Sequence, residues 1–122
     1  GQDNSILDES LRTFAREARR LLARLAIRMD RFLRRHGRGA ASRQLEIGAF
    51  SAEMRDLLSV LAVAHHADAR GDDSAIPIAD CWCRLALSRA SGTKLTAADH
   101  AAIGRLGESI VLGLLLAQKP EE

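Results

Sequence analysis

The residue types able to do chemistry in this chain fall into two short clusters. His65-His66-x-Asp68 is the densest group of metal-ligand types, with Asp72 and Asp73 close behind it. Imidazole nitrogen and carboxylate oxygen both ligate divalent metals, and His65 and Asp68 share a face if the segment is helical. A catalytic metal centre needs three protein ligands in fixed geometry, and no third is set beside them. The plainer reading is a pair of hydrogen-bonded or solvated histidines. The second cluster is Cys81-Trp82-Cys83, which is not Cys-x-x-Cys and has no downstream pair to complete a zinc site. On a helix the two thiols point about 200° apart, so they do not bond each other. A buried Trp82 flanked by small, soft side chains is the expectation. No Gly-rich phosphate loop, Gly-x-Ser-x-Gly elbow or His-Glu-x-x-His pair is present. The chain is therefore expected to hold no catalytic residue, no metal and no cofactor of its own.

A charged pattern offers more. Arg12, Arg16, Arg20, Arg24, Arg28, Arg31 and Arg35 recur every three or four residues, which on a helix makes a continuous stripe beside the apolar seam. From Arg12 to Arg38 ten arginines meet only Glu17 and Asp30, although the whole chain carries a formal charge of only +2. The rest of the chain is accordingly net acidic. Such a stripe can meet anionic lipid headgroups, an acidic protein surface or phosphates. It is equally readable as a solvated face whose Arg stems cover apolar surface and pair with neighbouring acids. Nucleic acid is excluded as the expected partner, because the stripe lacks interleaved aromatics and no helix-turn-helix spacing is visible.

The elements that position these groups read as helices throughout. Ala, Leu and Arg dominate, aromatics amount to 3%, and no run favours a strand. With 47% apolar residues in 122, one folded domain with a single core is expected. Four helices are predicted, over about 6–36, 43–70, 75–90 and 97–118, packed as an all-α, four-helix up-down bundle with a long basic first helix. Ser5 with Asp8 marks the first start, followed by Leu7, Leu11, Phe14, Ala18, Leu21, Leu25, Met29 and Phe32 as the apolar stripe. Gly37 to Gly39 end it. Ser42 is the expected cap of the second helix, whose buried face runs Ile47, Phe50, Met54, Leu57, Leu61 and Ala64 up to the Gly71-Asp72-Asp73 turn. Asp73 or Ser74 caps the third, with Pro77 in its first turn and Ile78, Trp82 and Leu85 on its buried side, beside Cys81 or Ala86. Thr96 with Asp99 opens the fourth, and its seam is Ile103, Leu106, Ile110, Leu114 and Ala117. Gly104, Gly107 and Gly113 either admit a neighbouring helix closely or are simply tolerated.

Residues 36–91 resemble the extra C-terminal domain of very-long-chain-type acyl-CoA dehydrogenases. The matching elements occur in order. They are a basic His-x-x-Gly turn (His36, Gly39), an acid leading into apolar residues (Asp56-Leu57-Leu58, then Leu61-Ala62-Val63), an acidic turn at Gly71, and an Asp-x-Trp-Cys segment at Asp80, Trp82 and Cys83. The resemblance implies that this chain is an appended, non-catalytic helical domain at the C-terminal end of a longer flavoenzyme of fatty acid β-oxidation. FAD and the catalytic glutamate of such an enzyme belong to a separate upstream core, and no catalytic or FAD-binding position of the family maps onto this sequence. The implied partners are that core or a second subunit. The segment lacks the family's longer polar insertion after the Gly turn.

Two further expectations belong to other classes of function. One is a free-standing module that binds anionic membrane surfaces, or an acidic partner, through the Arg stripe. The other is a metal-dependent bundle enzyme built on His65, His66 and Asp68. A long amphipathic first helix also permits a homodimer. The polar, acidic start without a basic-apolar leader, and an apolar run near 110–117 shorter than about 20 residues, point to a soluble cytoplasmic protein, peripheral to the membrane at most.

Overall fold

The computed structural model describes residues 6–117. It contains four helices: α1 (Glu9–His36), α2 (Gln44–Arg70), α3 (Ala75–Ser91) and α4 (Ala97–Ala117), with a short 3-10 turn at Gly37–Ser42 between the first two. No strand occurs among the described residues. The fold is the expected all-α bundle with a long basic first helix.

The first helix begins where a carboxylate can cap it. Asp8 is the N-cap and accepts the Leu11 N–H at 3.0 Å; Ser5, expected to open the same motif, lies outside the described residues. A second carboxylate reaches this point from the far end of α2. Asp68 accepts the Leu7 N–H at 3.1 Å and the Asp8 N–H at 3.0 Å, tying the start of α1 to the last turns of α2. Further along, Arg28 meets Glu53 at 2.8 Å and the Phe32 ring meets Phe50 edge-on at 5.3 Å. Partner numbers that rise on one helix fall on the other, so α1 and α2 are antiparallel. Asp56 with Arg89, and Val60 with Cys83, establish the same for α2 and α3.

Two of the expected caps are not used. The Ser42 hydroxyl donates to the Gly39 carbonyl at 2.8 Å inside the 3-10 turn, and α2 opens at Arg43 without a side-chain cap. Ser74 occupies the N-cap of α3, but its side chain makes no capping bond. Thr96 and Asp99 do form a reciprocal capping box, with bonds of 2.8 and 3.2 Å. Gly71, at φ +65°, ends α2 in the left-handed conformation that only glycine adopts without strain.

The core lies among the first three helices and is lined by small residues. Ala15 and Ala18 of α1, Ala64 and Ala67 of α2, and Ala79, Cys83 and Ala86 of α3 are buried, with Ile6, Leu11, Leu25, Leu57 and Val60 supplying bulk. This corrects the expectation for α3. Ile78 and Trp82 are about half exposed, at 54% and 47%, and the buried set is displaced from them by one residue, about 100° of rotation. Three helices meeting at close range leave room for a methyl or a thiol on this seam and none for an indole. Trp82 instead lies outside, its ring N–H 3.3 Å from the Ser59 hydroxyl.

The second correction concerns α4. None of its residues is buried, and its only substantial packing partner is α3. Ile103 and Leu106 are half-buried, whereas Ile110, Leu114 and Ala117 face solvent. The space that a Cβ would take at Gly104, Gly107 and Gly113 is open, so these glycines admit no neighbour among the described residues. A gap of about 480 Å³ bounded by Asp8, Ser10, Ala102 and Ser109 separates α4 from the start of α1.

Two outcomes test this account. Asp68→Ala removes the acceptor for two backbone N–H groups and should cost about 1–2 kcal/mol in urea unfolding, with Asp68→Asn intermediate. Ala18→Leu overfills the seam at a fully buried position and should cost about 1–3 kcal/mol, whereas Trp82→Leu on the outside should cost clearly less.

Candidate functional site

The histidine cluster does not assemble into a metal centre. Asp68 is engaged by the backbone of residues 7 and 8, His65 is half-buried and His66 is exposed. Among the described residues no three His, Cys, Asp or Glu side chains converge on a point.

The residues of the Asp-x-Trp-Cys segment make contacts within the bundle. Asp80 accepts from the Arg84 guanidinium at 2.6 Å one helical turn on. Arg84 also donates to Asp99 at 2.6 Å and lies over the Phe14 ring at 5.3 Å, so one cation bridges α1, α3 and α4. The Thr96 backbone N–H, with help from Arg84, holds the Asp99 carboxyl below the usual carboxylate range. Arg84 is in turn held charged, chiefly by Asp80. Cys83 is fully buried, and its thiol is 3.9 Å from the Val60 carbonyl. Burial, with the nearby Asp80 charge, pushes its pKa up to about 12. The buried thiol is thus held protonated in the neutral range.

The arginine stripe is where side chains come together. A groove of about 1090 Å³ runs between α1 and the C-terminal end of α3, closed at one end by the α3–α4 loop. Arg16, Arg20, Arg24 and Arg28 of the expected stripe line one wall, and Arg89 and Lys94 line the other. Arg12 is half-buried outside the groove, and Arg31 and Arg35 are exposed beyond its end. Phe14, Leu21, Leu87 and Ala90 form an apolar floor.

Three carboxylates lie in the groove and each is taken. Glu17 is gripped by Arg20, whose hydrogen bond holds the carboxyl below its ordinary range, aided by the charge of Arg24. Glu53 pairs with Arg28 and Asp99 with Arg84. Arg16, Arg24 and Lys94 form no ion pair among the described residues, and Arg89 meets Asp56 at 3.1 Å. The groove is consequently cationic along its length.

The opposite resource is apolar. α4 has 21 residues, and an 18-residue window of it reaches a mean hydropathy of 1.4 with none of it buried. It is long and apolar enough to cross a membrane, which the length of the uninterrupted apolar run had not suggested. Arg84, Arg89 and Lys94 also escaped the sequence reading. They come from other elements, and periodicity along one helix carries no signal of what faces it.

No family model, no curated protein and no solved structure matches this chain.

The buried thiol gives a measurable consequence. Native protein should react with a thiol reagent at Cys81 and release Cys83 only on unfolding. Because burial holds the folded pKa of Cys83 above that of an ordinary thiol, its stabilising contribution is complete below about pH 9 and is lost towards pH 12. Urea midpoints should therefore fall across that window, and Cys83→Ala should flatten the fall.

Proposed function

We propose that the chain is a non-catalytic helical accessory domain that docks through α4, and that the surface it covers is the FAD-containing core of an acyl-CoA dehydrogenase or a second subunit of such an enzyme. The observation that carries this reading is the uncovered fourth helix. Val111, Leu112, Leu114, Leu115 and Leu116 are each more than half exposed and Ile110 is half exposed, an apolar surface of the kind that marks an interaction site. The motif residues support the choice of partner by their placement. His36 and Gly39 sit at the α1–α2 connection, Asp56 to Val63 on α2, Gly71 at its end, and Asp80, Trp82 and Cys83 on α3. The flavin and the base that removes the substrate proton belong, in this reading, to the core. This chain supplies the covering helices.

The apolar window of α4 also favours a second reading, in which the helix enters a bilayer and the basic face of α1 meets anionic headgroups. The two readings separate in one set of measurements. Mixed with an FAD-loaded very-long-chain-type core, the chain should co-sediment as a stoichiometric complex, and the pair Leu112→Glu and Leu115→Glu should abolish it without changing the helical content. Flotation with anionic liposomes, lost in the same variant, with no complex on the core, would replace the first reading by the second. Self-association into a dimer, with neither core nor liposome bound, would remove both.

A further inference from the structure

We infer that the groove between α1 and α3 is a docking site for an acidic amphipathic helix of a partner protein. The inference is independent of what covers α4.

Dimensions come first. Arg16, Arg20, Arg24 and Arg28 are four residues apart, so at 1.5 Å per residue they form a row about 18 Å long, the length of about three helical turns. Arg89 and Lys94 stand on the opposite wall, and the floor between the rows is Leu21, Leu87 and Ala90. A helix laid along this channel sets its apolar stripe on the floor and its flanking carboxylates against cations on both sides.

The charge pattern selects against other occupants. A single phosphate needs cations converging on a point, whereas these are strung out along a line. Bases of a nucleic acid need an open aromatic face to stack on, and the one aromatic ring of the groove, Phe14, is already covered by Arg84 at 5.3 Å. A flat bilayer surface fits the recess between these cations less well than a helix does, and meets more readily Arg31 and Arg35 beyond its end. The groove's own carboxylates do not repel an acidic helix, because Glu17, Glu53 and Asp99 are each neutralised by an arginine. Arg16, Arg24 and Lys94 are left without an ion-pair partner among the described residues.

The test uses the chain as given and a fluorescent synthetic helix of about three heptads, with leucines at the apolar positions and glutamates along both edges. Fluorescence anisotropy should show saturable binding that weakens as salt rises. Joint Arg16→Glu and Arg24→Glu substitution should weaken binding by about tenfold or more, and Lys94→Glu on the far wall should weaken it independently. The decisive control changes the same net charge outside the groove. Arg31→Glu with Arg35→Glu, on the same helix, should leave binding close to that of the unmodified chain. All these positions are exposed, and matching thermal unfolding confirms that each variant is folded. An equal loss in the Arg31 and Arg35 pair, equal binding of a scrambled peptide, or no binding at all overturns the proposal. So does a preference for anionic vesicles or an oligonucleotide that the groove substitutions abolish while peptide binding is unchanged.

Discussion

The close approach of three helices across a seam of small side chains is the constraint on which the rest of the molecule depends. Ala18, Ala64, Cys83 and Ala86 are fully buried where larger residues would hold the backbones apart. Helices that meet over methyl groups gain dispersion contacts between backbone and side-chain atoms at short range. They also lose the freedom to shelter bulk. Ile78 and Trp82 are turned out by that geometry, while Leu11, Leu25, Leu57 and Val60 supply the bulk that the small residues leave to be filled. A core of this kind is complete with three helices. It leaves α4 to rest on α3, where no residue of that helix is fully buried.

Polar contacts then fix how the elements end. Asp68 clamps the start of α1, and Arg84 links α3 to the capped start of α4 while stacking on Phe14. Arg84 and its two carboxylates are each about one-fifth exposed, enough burial to sharpen the attraction and enough water to limit the desolvation cost. Both contacts recruit residues whose types suggest chemistry in isolation. A carboxylate in a His-rich segment and one in an Asp-x-Trp-Cys segment turn out to be fastenings. Both carboxylates are thereby engaged in holding the helices together.

How much of this was legible in the sequence follows from what periodicity can measure. Four helices and their boundaries were readable because apolar spacing and glycine stops are properties of one segment at a time. The buried face of α1 was readable for the same reason, with Leu11, Ala18 and Leu25 all inside. The face of α3 was misplaced because large apolar residues were given priority, whereas the partners on α1 and α2 demanded small ones. That demand is a pairwise property and leaves no mark in residues 75–91 alone. The same limit applied to the site. One wall of the groove was visible as a stripe, but the wall holding Arg89 and Lys94, and the neutralising roles of Glu53 and Asp99, exist only once helices are set side by side. Within α4, the regular seam suggested burial, yet helical spacing records amphipathicity and says nothing of whether a partner is available.

The two exposed features differ in kind, and their difference limits what the molecule can recognise. The groove is cationic with an apolar floor and is bounded by α1 and α3; the apolar surface belongs to the distal half of α4, from Ile110 onward. Arg84, the capping box and the half-buried Ile103 and Leu106 hold the first half of α4 to the body, and the half from Ile110 onward is exposed. One compact ligand cannot satisfy both surfaces, because a carboxylate-rich face that suits the arginines would be left without partners against the leucines. Two surfaces of opposite chemistry are thus carried by one small helical body. One side accepts charge and is reversible with salt; the other buries apolar area and is largely insensitive to it. The acidic helix proposed for the groove and the apolar surface proposed for α4 would therefore each answer to a separate physical control.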